Sequence, residues 1–398
     1  MKKTLVVLVV QPLNSFNYNK WEFNRKYNKK WNIIFWNLLS IQNENLNKKF
    51  TTKGHGIIKA KNFININDYS NLLKQFKKLP PNFYYINLSI LSFKCSIIDR
   101  ILKIKGGKCI YLKMNALPEV KISFKKAILL ILKSSYKFFF LKKIIVYPFL
   151  KLINFFNHFI KGKPEIHIVP NQNAYENLKR KNKNNKIIRT YSYDYERFIQ
   201  NRKLNKKNKK KKNYAVFIDQ NKEDHFDHTL LFGEEYYMTS KWYWEKMEKF
   251  FSFIESNFKL KVIIAAHHRR SKYNLPIKRQ FIFNKTINLV RDCKLAITHN
   301  STAINQAILY KKPLILINFN VHKKRMSNYL DVLNFGKLIG SKVINLESFS
   351  FSKKIFNLKN CLIINKKKYK KYKEMYIKPK TIKNNTIWKT VLNELDRI

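Results

Sequence analysis

Acidic residues are scarce: 24 Asp and Glu stand against 81 Lys and Arg in 398 residues, a formal net charge of +57 at pH 7. Glycine is rarer, with eight residues. No Walker loop, GxGxxG or GxSxG occurs, which leaves P-loop phosphoryl transfer, a dinucleotide site and an α/β-hydrolase without support. No DxD pair occurs either. Cys95, Cys109, Cys293 and Cys361 lie far apart without CxxC or metal-like spacing; this argues against a zinc site and a disulfide framework and fits a reducing, cytosolic setting. No uninterrupted apolar run approaches the ~20 residues of a membrane span. The apolar stretch Thr4–Val10 follows Met1-Lys2-Lys3 like a signal peptide, but it stops at Gln11-Pro12 with no small-residue cleavage site and reads better as a first core strand.

What is present bounds the fold. With 45% hydrophobic residues the chain can bury a sizeable core, and its length suggests two domains at roughly 150 residues each. The positive charge invites a nucleic-acid reading. Yet Lys far outnumbers Arg, and Lys, Asn, Ile, Phe and Tyr are inflated together, the mark of an AT-rich coding sequence; readers of nucleic acid favour Arg for bidentate contacts. Compositional drift on a solvated surface is the preferred account, so no specific nucleic-acid partner is expected.

The most ordered pattern lies in Lys261–Asn318. Val262–Ala266 is too short for a helix and reads as a buried parallel strand ending in His267-His268-Arg269-Arg270-Ser271. Leu295–Thr298 is a second strand, His299–Thr302 a loop, Ala303–Tyr310 a helix and Pro313–Ile317 the next strand. In an open parallel sheet ligands bind beyond the carboxyl ends of the strands, where His267 and Ser301 are expected to meet one crevice.

Elsewhere the order is similar. Residues 1–200 read as an α/β lobe with strands at Thr4–Val10, Trp31–Leu39, Phe83–Leu88, Lys108–Lys113, Glu165–Val169 and Lys186–Thr190, and helices at Asn17–Lys29, Asp68–Lys78, Cys95–Ile104 and Asn173–Arg180. This alternation implies parallel pairing with helices on both faces. A helical insertion is expected over 121–163, where apolar aromatic runs such as Phe138-Phe139-Phe140 are punctuated by Lys. It reads equally as a hairpin packed on its own lobe or as helices lying in a membrane interface. Asn201–Asn213, with eight basic residues and no acidic one, reads as a solvated linker. Residues 214–398 form the second lobe: a strand at Tyr214–Ile218, a helix at Ser240–Phe258 with Tyr243, Met247, Phe250, Phe251 and Ile254 on its core face, a strand at Lys342–Leu346, a Tyr- and Lys-rich tail and a last helix within Thr381–Arg397.

The candidate chemistry clusters in that lobe. A loop opening a helix exposes unsatisfied N–H groups and the positive dipole end, so Asn300, Ser301 and Thr302 are candidate phosphate ligands, with simple capping by Ser301 and Thr302 as the alternative. His267, His268 and Arg269 are candidate nucleotide or phosphate contacts. Asp219 ends the first strand of the lobe and joins His267 as a catalytic candidate, without an assigned role. The group His225, Asp227 and His228 lacks a convergent further ligand, so no metal site is assigned. In the first lobe Asp99, Glu119 and Asp194 lie near element ends and read as caps or surface charges.

These residues carry a resemblance. Ala265-Ala266-His267-His268-Arg269-Arg270-Ser271, Lys285-Thr286, Leu289-Val290, Thr298-His299-Asn300-Ser301-Thr302-Ala303 and Lys312-Pro313 resemble the carboxyl-terminal lobe of GT-B glycosyltransferases of bacterial surface polysaccharide synthesis, among them capsule Kdo-transferases and sialyl- and polysialyltransferases. Those families share an HP motif after one strand and an S/T motif at a later helix start, both binding a CMP-activated sugar. His267 takes the place of the HP histidine, and His268 replaces the proline. The resemblance covers about Tyr214–Asn318 and implies a GT-B-like fold of two Rossmann-like lobes facing a cleft. It implies metal-independent transfer with a nucleotide sugar as co-substrate and no further cofactor, and a glycan or lipid-linked acceptor. The expected location is the cytoplasm, peripheral at the inner face of the membrane through 121–163. Related GT-B enzymes, a sugar-nucleotide epimerase or a polyol-phosphate transferase, are the alternative, and a non-enzymatic nucleic-acid-binding protein accounts only for the charge.

Overall fold

The structure, a computed structural model, describes residues 2–21, 30–43, 58–88, 93–114, 117–118, 152, 155–157, 159–160, 163–181, 185–204, 212–224, 238–268, 270, 275–350 and 358–397. The first lobe holds β1 (Lys3–Val9), β2 (Trp31–Asn37), β3 (Phe63–Asn65), β4 (Phe83–Asn87), β5 (Gly107–Leu112), β6 (Ile166–Val169) and β7 (Lys186–Arg189). They form one parallel sheet in the order β3-β2-β1-β4-β5-β6-β7. The second lobe holds β8 (Tyr214–Ile218), β9 (Lys261–Ala265), β10 (Phe281–Ile282), β11 (Leu295–Thr298), β12 (Leu314–Asn318) and β13 (Lys342–Asn345), parallel in the order β10-β9-β8-β11-β12-β13. In both sheets the strand order reverses beside the first strand of the lobe. That is the doubly wound Rossmann arrangement, and it puts a crevice beyond β1 and β4 in one lobe and beyond β8 and β11 in the other.

Local sequence explains the elements. Buried parallel strands need apolar side chains on both faces, and β8, β11 and β12 are buried along their whole length. Helices close the sheet faces: α1 (Ser15–Lys20), α2 (Tyr69–Lys77), α3 (Phe93–Ile104), α4 (Gln172–Lys181), α5 (Tyr193–Leu204), α6 (Ser240–Phe258), α7 (Thr286–Asp292), α8 (Ile304–Leu309), α9 (Met326–Ile339), α10 (Lys366–Tyr372) and α11 (Ile387–Asp396). In α6, the Thr239 side chain accepts from Trp242 N, Lys259 ends the helix in the left-handed region, and Tyr243, Trp244, Met247, Phe250, Phe251, Phe253 and Ile254 are buried. Each such apolar side chain contributes roughly 1.5–3 kcal/mol on burial. That stripe fixes α6 on the sheet with Phe217, Ile264 and Ile297 in one core.

Several expectations shift. The helix expected over 17–29 is Ser15–Lys20 where described, and residues 22–29 lie outside the described residues. The Asn201–Asn213 linker begins later than its charge suggests, because α5 runs to Leu204; residues 205–211 lie outside the described residues. Most of the insertion 121–163, including Phe138–Phe140, also lies outside them; residues 152, 155–157 and 159–160 are helical. Glu119, His225, Asp227 and His228 are likewise not described.

The tail ties the lobes together. Tyr369 OH donates to Lys312 O at 2.9 Å and Tyr372 OH to Asn305 Oδ1 at 3.2 Å, which holds α10 on the second lobe. The chain then returns: Ser192 N donates to Ile377 O at 2.8 Å, and Ile387 N donates to Glu196 Oε2 at 3.0 Å. Ile387, Trp388, Val391, Leu392 and Leu395 of α11 complete the core that contains Leu5, Val7, Phe35 and Ile110. The last helix of the sequence therefore packs in the first lobe, although it follows the whole second lobe in the chain. Tyr195 and Phe198 of α5 pack on the second-lobe core, while Tyr193 packs in the first. The helix α5 spans the seam.

Candidate functional site in the cleft between the lobes

A cavity of about 330 Å³ opens between the two sheets. Gln11, Asn17 and Lys20 from the end of β1 and from α1 line one wall, Tyr193, Asp194 and Arg197 of α5 the seam, and Asp219, His267, His268, Asn284, Thr286, Ser301 and Thr302 the other wall. The topology accounts for the placement, because β1 and β8 are the strands beside which each sheet reverses.

His267 and Ser301 share this cavity, but their strands are not neighbours: β8 lies between β9 and β11. Asp219, at the end of β8, joins the two sides. Its carboxylate accepts from His267 N at 3.1 Å and from Asn221 N at 2.8 Å. Arg270 closes on it with Nε to Oδ2 at 2.5 Å and Nη2 to Oδ1 at 3.0 Å, and reaches Glu223 Oε1 at 2.9 Å. Arg270 also lies over Trp244 and Phe281, 5.1 and 5.8 Å from the ring centres. Arg270 is buried, and its guanidinium is taken up by the Asp219 and Glu223 carboxylates.

This network decides what Asp219 can do. Burial pushes its carboxyl up, but the Arg270 charge and hydrogen bonds, helped by His267, bring it net below the usual value. Glu223 goes the other way: burial raises it, and Asp219 adds to that against the pull of Arg270. Asp219 is thus a charged anchor for the His267 loop, which turns back through an Arg270 N to His267 O bond of 2.9 Å. A carboxylate so fully bonded is a poor proton acceptor.

His267 and His268 are half-buried on the cavity wall with ring centres 4.3 Å apart. Arg269 lies outside the described residues. Ser301 and Thr302 line the cavity, whereas Asn300 is half-buried and outside its wall. The Ser301 hydroxyl accepts from Ala303 N at 3.2 Å, a turn bond just ahead of the helix, whose N-cap Ala303 has no side-chain cap. The helix start is tight: Ile304 N, Asn305 N and Gln306 N bond to Ser301 O, Thr302 O and Ala303 O at 3.0–3.1 Å. Those first-turn donors, expected to face an anion, are partly satisfied within the turn. The Ser301 and Thr302 side chains remain on the wall.

His299 takes no part in the cavity. It is fully buried, Nδ1 donates to Ile317 O at 3.0 Å, and Nε2 therefore accepts from Tyr243 OH at 2.8 Å. Burial, with Lys222 nearby, holds the imidazole neutral by pushing its pKa well below the usual histidine value.

Asp194, read in the sequence as a cap or surface charge, is 5% exposed and lines the cavity. Asn305 Nδ2 donates to its Oδ2 at 3.0 Å, and Gln306 Nε2 to its backbone O at 2.7 Å. Burial raises its pKa to about 6 against the opposing pull of Asn305, Arg197, Gln306 and Lys20. Lys20 and Arg197, also absent from the expected site, add positive charge to the same cavity. No local signal marks the burial of Asp194, since Asn305 and Gln306 lie more than a hundred positions away.

No protein-family model and no curated protein matches the sequence. Among solved structures, the chain is similar to the wall teichoic acid polymerase TagF, with a TM-score of 0.52 and 10% identity over 99% of this chain and 89% of that one. It is similar to a UDP-N-acetylglucosamine 2-epimerase, with a TM-score of 0.50 and 12% identity over 100% and 96% of the two chains. A UDP-GlcNAc 2-epimerase from Methanocaldococcus jannaschii, in complex with UDP-GlcNAc and UDP, gives 0.47 and 13% over 100% of both. Two parallel sheets with interleaved helices, facing each other across a cleft, are the two Rossmann-like lobes of the GT-B fold. The likeness carries that fold and no finer family.

Proposed function

We propose that the protein is a glycosyltransferase that moves a sugar from a nucleotide-activated donor to a surface polysaccharide or its lipid-linked precursor. The observation that carries the reading is the cavity at the carboxyl ends of both sheets, where His267, Ser301 and Thr302 of the second lobe face Lys20 and Arg197. Transfer leaves negative charge on the departing nucleotide phosphate, and positioned cations and hydroxyls in a partly desolvated cleft stabilise that charge. Asp219 supports this by fixing the His267 loop rather than by proton transfer. The sequence resemblance to CMP-sugar transferases favours a CMP-linked acidic sugar over a UDP-hexose, and the absence of a DxD pair favours transfer without a metal.

Peripheral membrane contact belongs to the same reading. Of the described residues of the Lys-punctuated insertion, Leu152, Phe155, Phe156 and Phe159 are 51–77% exposed, while Asn157 is buried and Ile160 half-buried. Lysines around aromatic side chains suit an anionic bilayer interface near a lipid-linked acceptor. Among the described residues no helix is long and apolar enough to cross a membrane.

The fold likeness to TagF and to a UDP-N-acetylglucosamine 2-epimerase favours a second reading, a related GT-B epimerase or polyol-phosphate transferase. Donor turnover with and without acceptor separates the two. A transferase releases nucleotide in step with acceptor glycosylation. An epimerase converts the donor to an isomeric nucleotide sugar with no acceptor present, and that result would replace the transferase reading.

A further inference from the structure

We infer that Asp194 is the proton acceptor for the incoming hydroxyl, a role that rests on the glycosyltransferase reading above. The cavity wall holds two carboxylates, Asp194 and Asp219, in opposite settings. Asp219 is clamped by the Arg270 guanidinium and two backbone N–H groups, so its charge is matched and its lone pairs are used. Asp194 is oriented by neutral amides, Asn305 Nδ2 donating to its carboxylate and Gln306 Nε2 to its carbonyl. Lys20 and Arg197 pull its pKa down, but burial outweighs them and keeps the carboxyl above its ordinary value. When two acids in one site have environments that push their pKa values apart, the raised one is suited to proton transfer and the lowered one to electrostatics.

The support behind Asp194 is ordered. Tyr372 OH donates to Asn305 Oδ1 at 3.2 Å, which turns the Asn305 amide nitrogen toward Asp194 Oδ2 at 3.0 Å. Tyr372 and Asn305 are fully or almost fully buried, so this second layer is fixed by packing. Asp194 itself sits in the first turn of α5, the helix whose side chains pack into both lobes. A base on that seam faces an acceptor from the first lobe and a donor from the second. The charged or titratable groups facing it are Lys20 of α1, Arg197 of α5 and Tyr372 of α10, with His267, His268 and Asp219 across the cavity.

In the step, the acceptor oxygen bonds to the anomeric carbon as the bond from that carbon to the nucleotide phosphate breaks. The bonding pair leaves with the phosphate, and the hydroxyl proton passes to Asp194, which returns it to solvent after product release. The charge on the leaving phosphate is met by His267, Ser301, Thr302, Lys20 and Arg197. A neutral Asp194 cannot accept the proton, so the rate falls as the pH drops through its titration.

The test measures donor affinity and single-turnover rate between pH 4.5 and 8 for wild type, Asp194→Asn and Asn305→Ala, with unfolding midpoints alongside. Wild type is expected to show an acidic limb centred near 6, the value to which burial raises Asp194. Asp194→Asn is expected to keep donor affinity within about twofold and to lose about 10²–10⁴ in rate, the usual worth of a general base, with the acidic limb gone. Asn305→Ala, which removes a donor to the charged form, should move that limb to higher pH. This third chain keeps the inference testable should Asp194→Asn not fold. An Asp194→Asn enzyme that turns over at the wild-type rate, or that loses donor binding together with rate, overturns the assignment, as does an unmoved limb in Asn305→Ala. A folded wild type that binds no nucleotide sugar overturns the transferase reading first, so the two failures are told apart.

Discussion

Replacing Arg270 by Ala removes one guanidinium and leaves two buried carboxylates facing each other. In the folded protein Arg270 is 7% exposed by side chain, Asp219 0% and Glu223 2%, so solvent screens little of their interaction. Breaking such a buried pair by deleting one partner costs about 3–5 kcal/mol, a large share of the roughly 5–15 kcal/mol that holds a domain folded. The pH dependence has a definite sign. Asp219 is held below its ordinary value, so its contribution is complete above about pH 4 and is lost as the pH falls through its lower folded value. Glu223 is raised, so it favours folding below its ordinary value and that contribution fades as the pH rises through its folded one. Without Arg270 both carboxyls are raised, and the variant should lose stability from pH 5 to pH 7 more steeply than wild type. Urea unfolding followed by tryptophan fluorescence suits the measurement, because Trp244 lies under Arg270 and donates to Glu223 Oε1 at 2.5 Å. A variant within about 1 kcal/mol of wild type at pH 7, the size of a surface ion pair, would refute the view that this network anchors the His267 loop.

Three further outcomes are expected. Trp388→Ala should destabilise the first lobe by about 3–5 kcal/mol, and hydrogen exchange should rise in β1, β4 and β5 before β8 and β11, since Trp388 is 2% exposed within the first-lobe core; faster exchange confined to the second lobe would contradict that packing. EDTA should leave sugar transfer intact, and loss of activity restored by Mn²⁺ or Mg²⁺ would point to a metal-assisted design. Binding to anionic vesicles should fall with salt and with Phe155, Phe156 and Phe159 changed to Ser; unchanged binding would leave the lysines as the whole attraction.

The fold was largely legible because buried parallel strands and amphipathic helices repeat at fixed periods. Thr4–Val10, Tyr214–Ile218 and Ser240–Phe258 were read within a residue of their observed bounds. The strands β3 and β10, with three and two residues, are too short to show a period and were missed. The lining of the cavity was legible where it sits on strand ends, as at Asp219, His267 and Ser301, because topology alone delivers them to the cleft. The meaning of Asp219 was not, since it depends on Arg270, 51 positions away, turning inward. Asp194 was hidden for the same reason, as Asn305 and Gln306 lie 111 and 112 positions beyond it. The return of the tail to the first lobe is carried by long-range bonds such as Trp31 Nε1 to Asp396 Oδ1 at 3.0 Å, which no local pattern encodes.

Calorimetric titration of CMP-, UDP- and GDP-sugars into wild type, His267→Ala and Ser301→Ala addresses the nucleotide-sugar cleft most directly. Wild type should bind one nucleotide class, and each variant should bind it about 10- to 100-fold more weakly, the worth of one hydrogen bond to a charged group, with an unchanged unfolding midpoint. A folded wild type that binds none of them, or variants with wild-type affinity, would contradict the account.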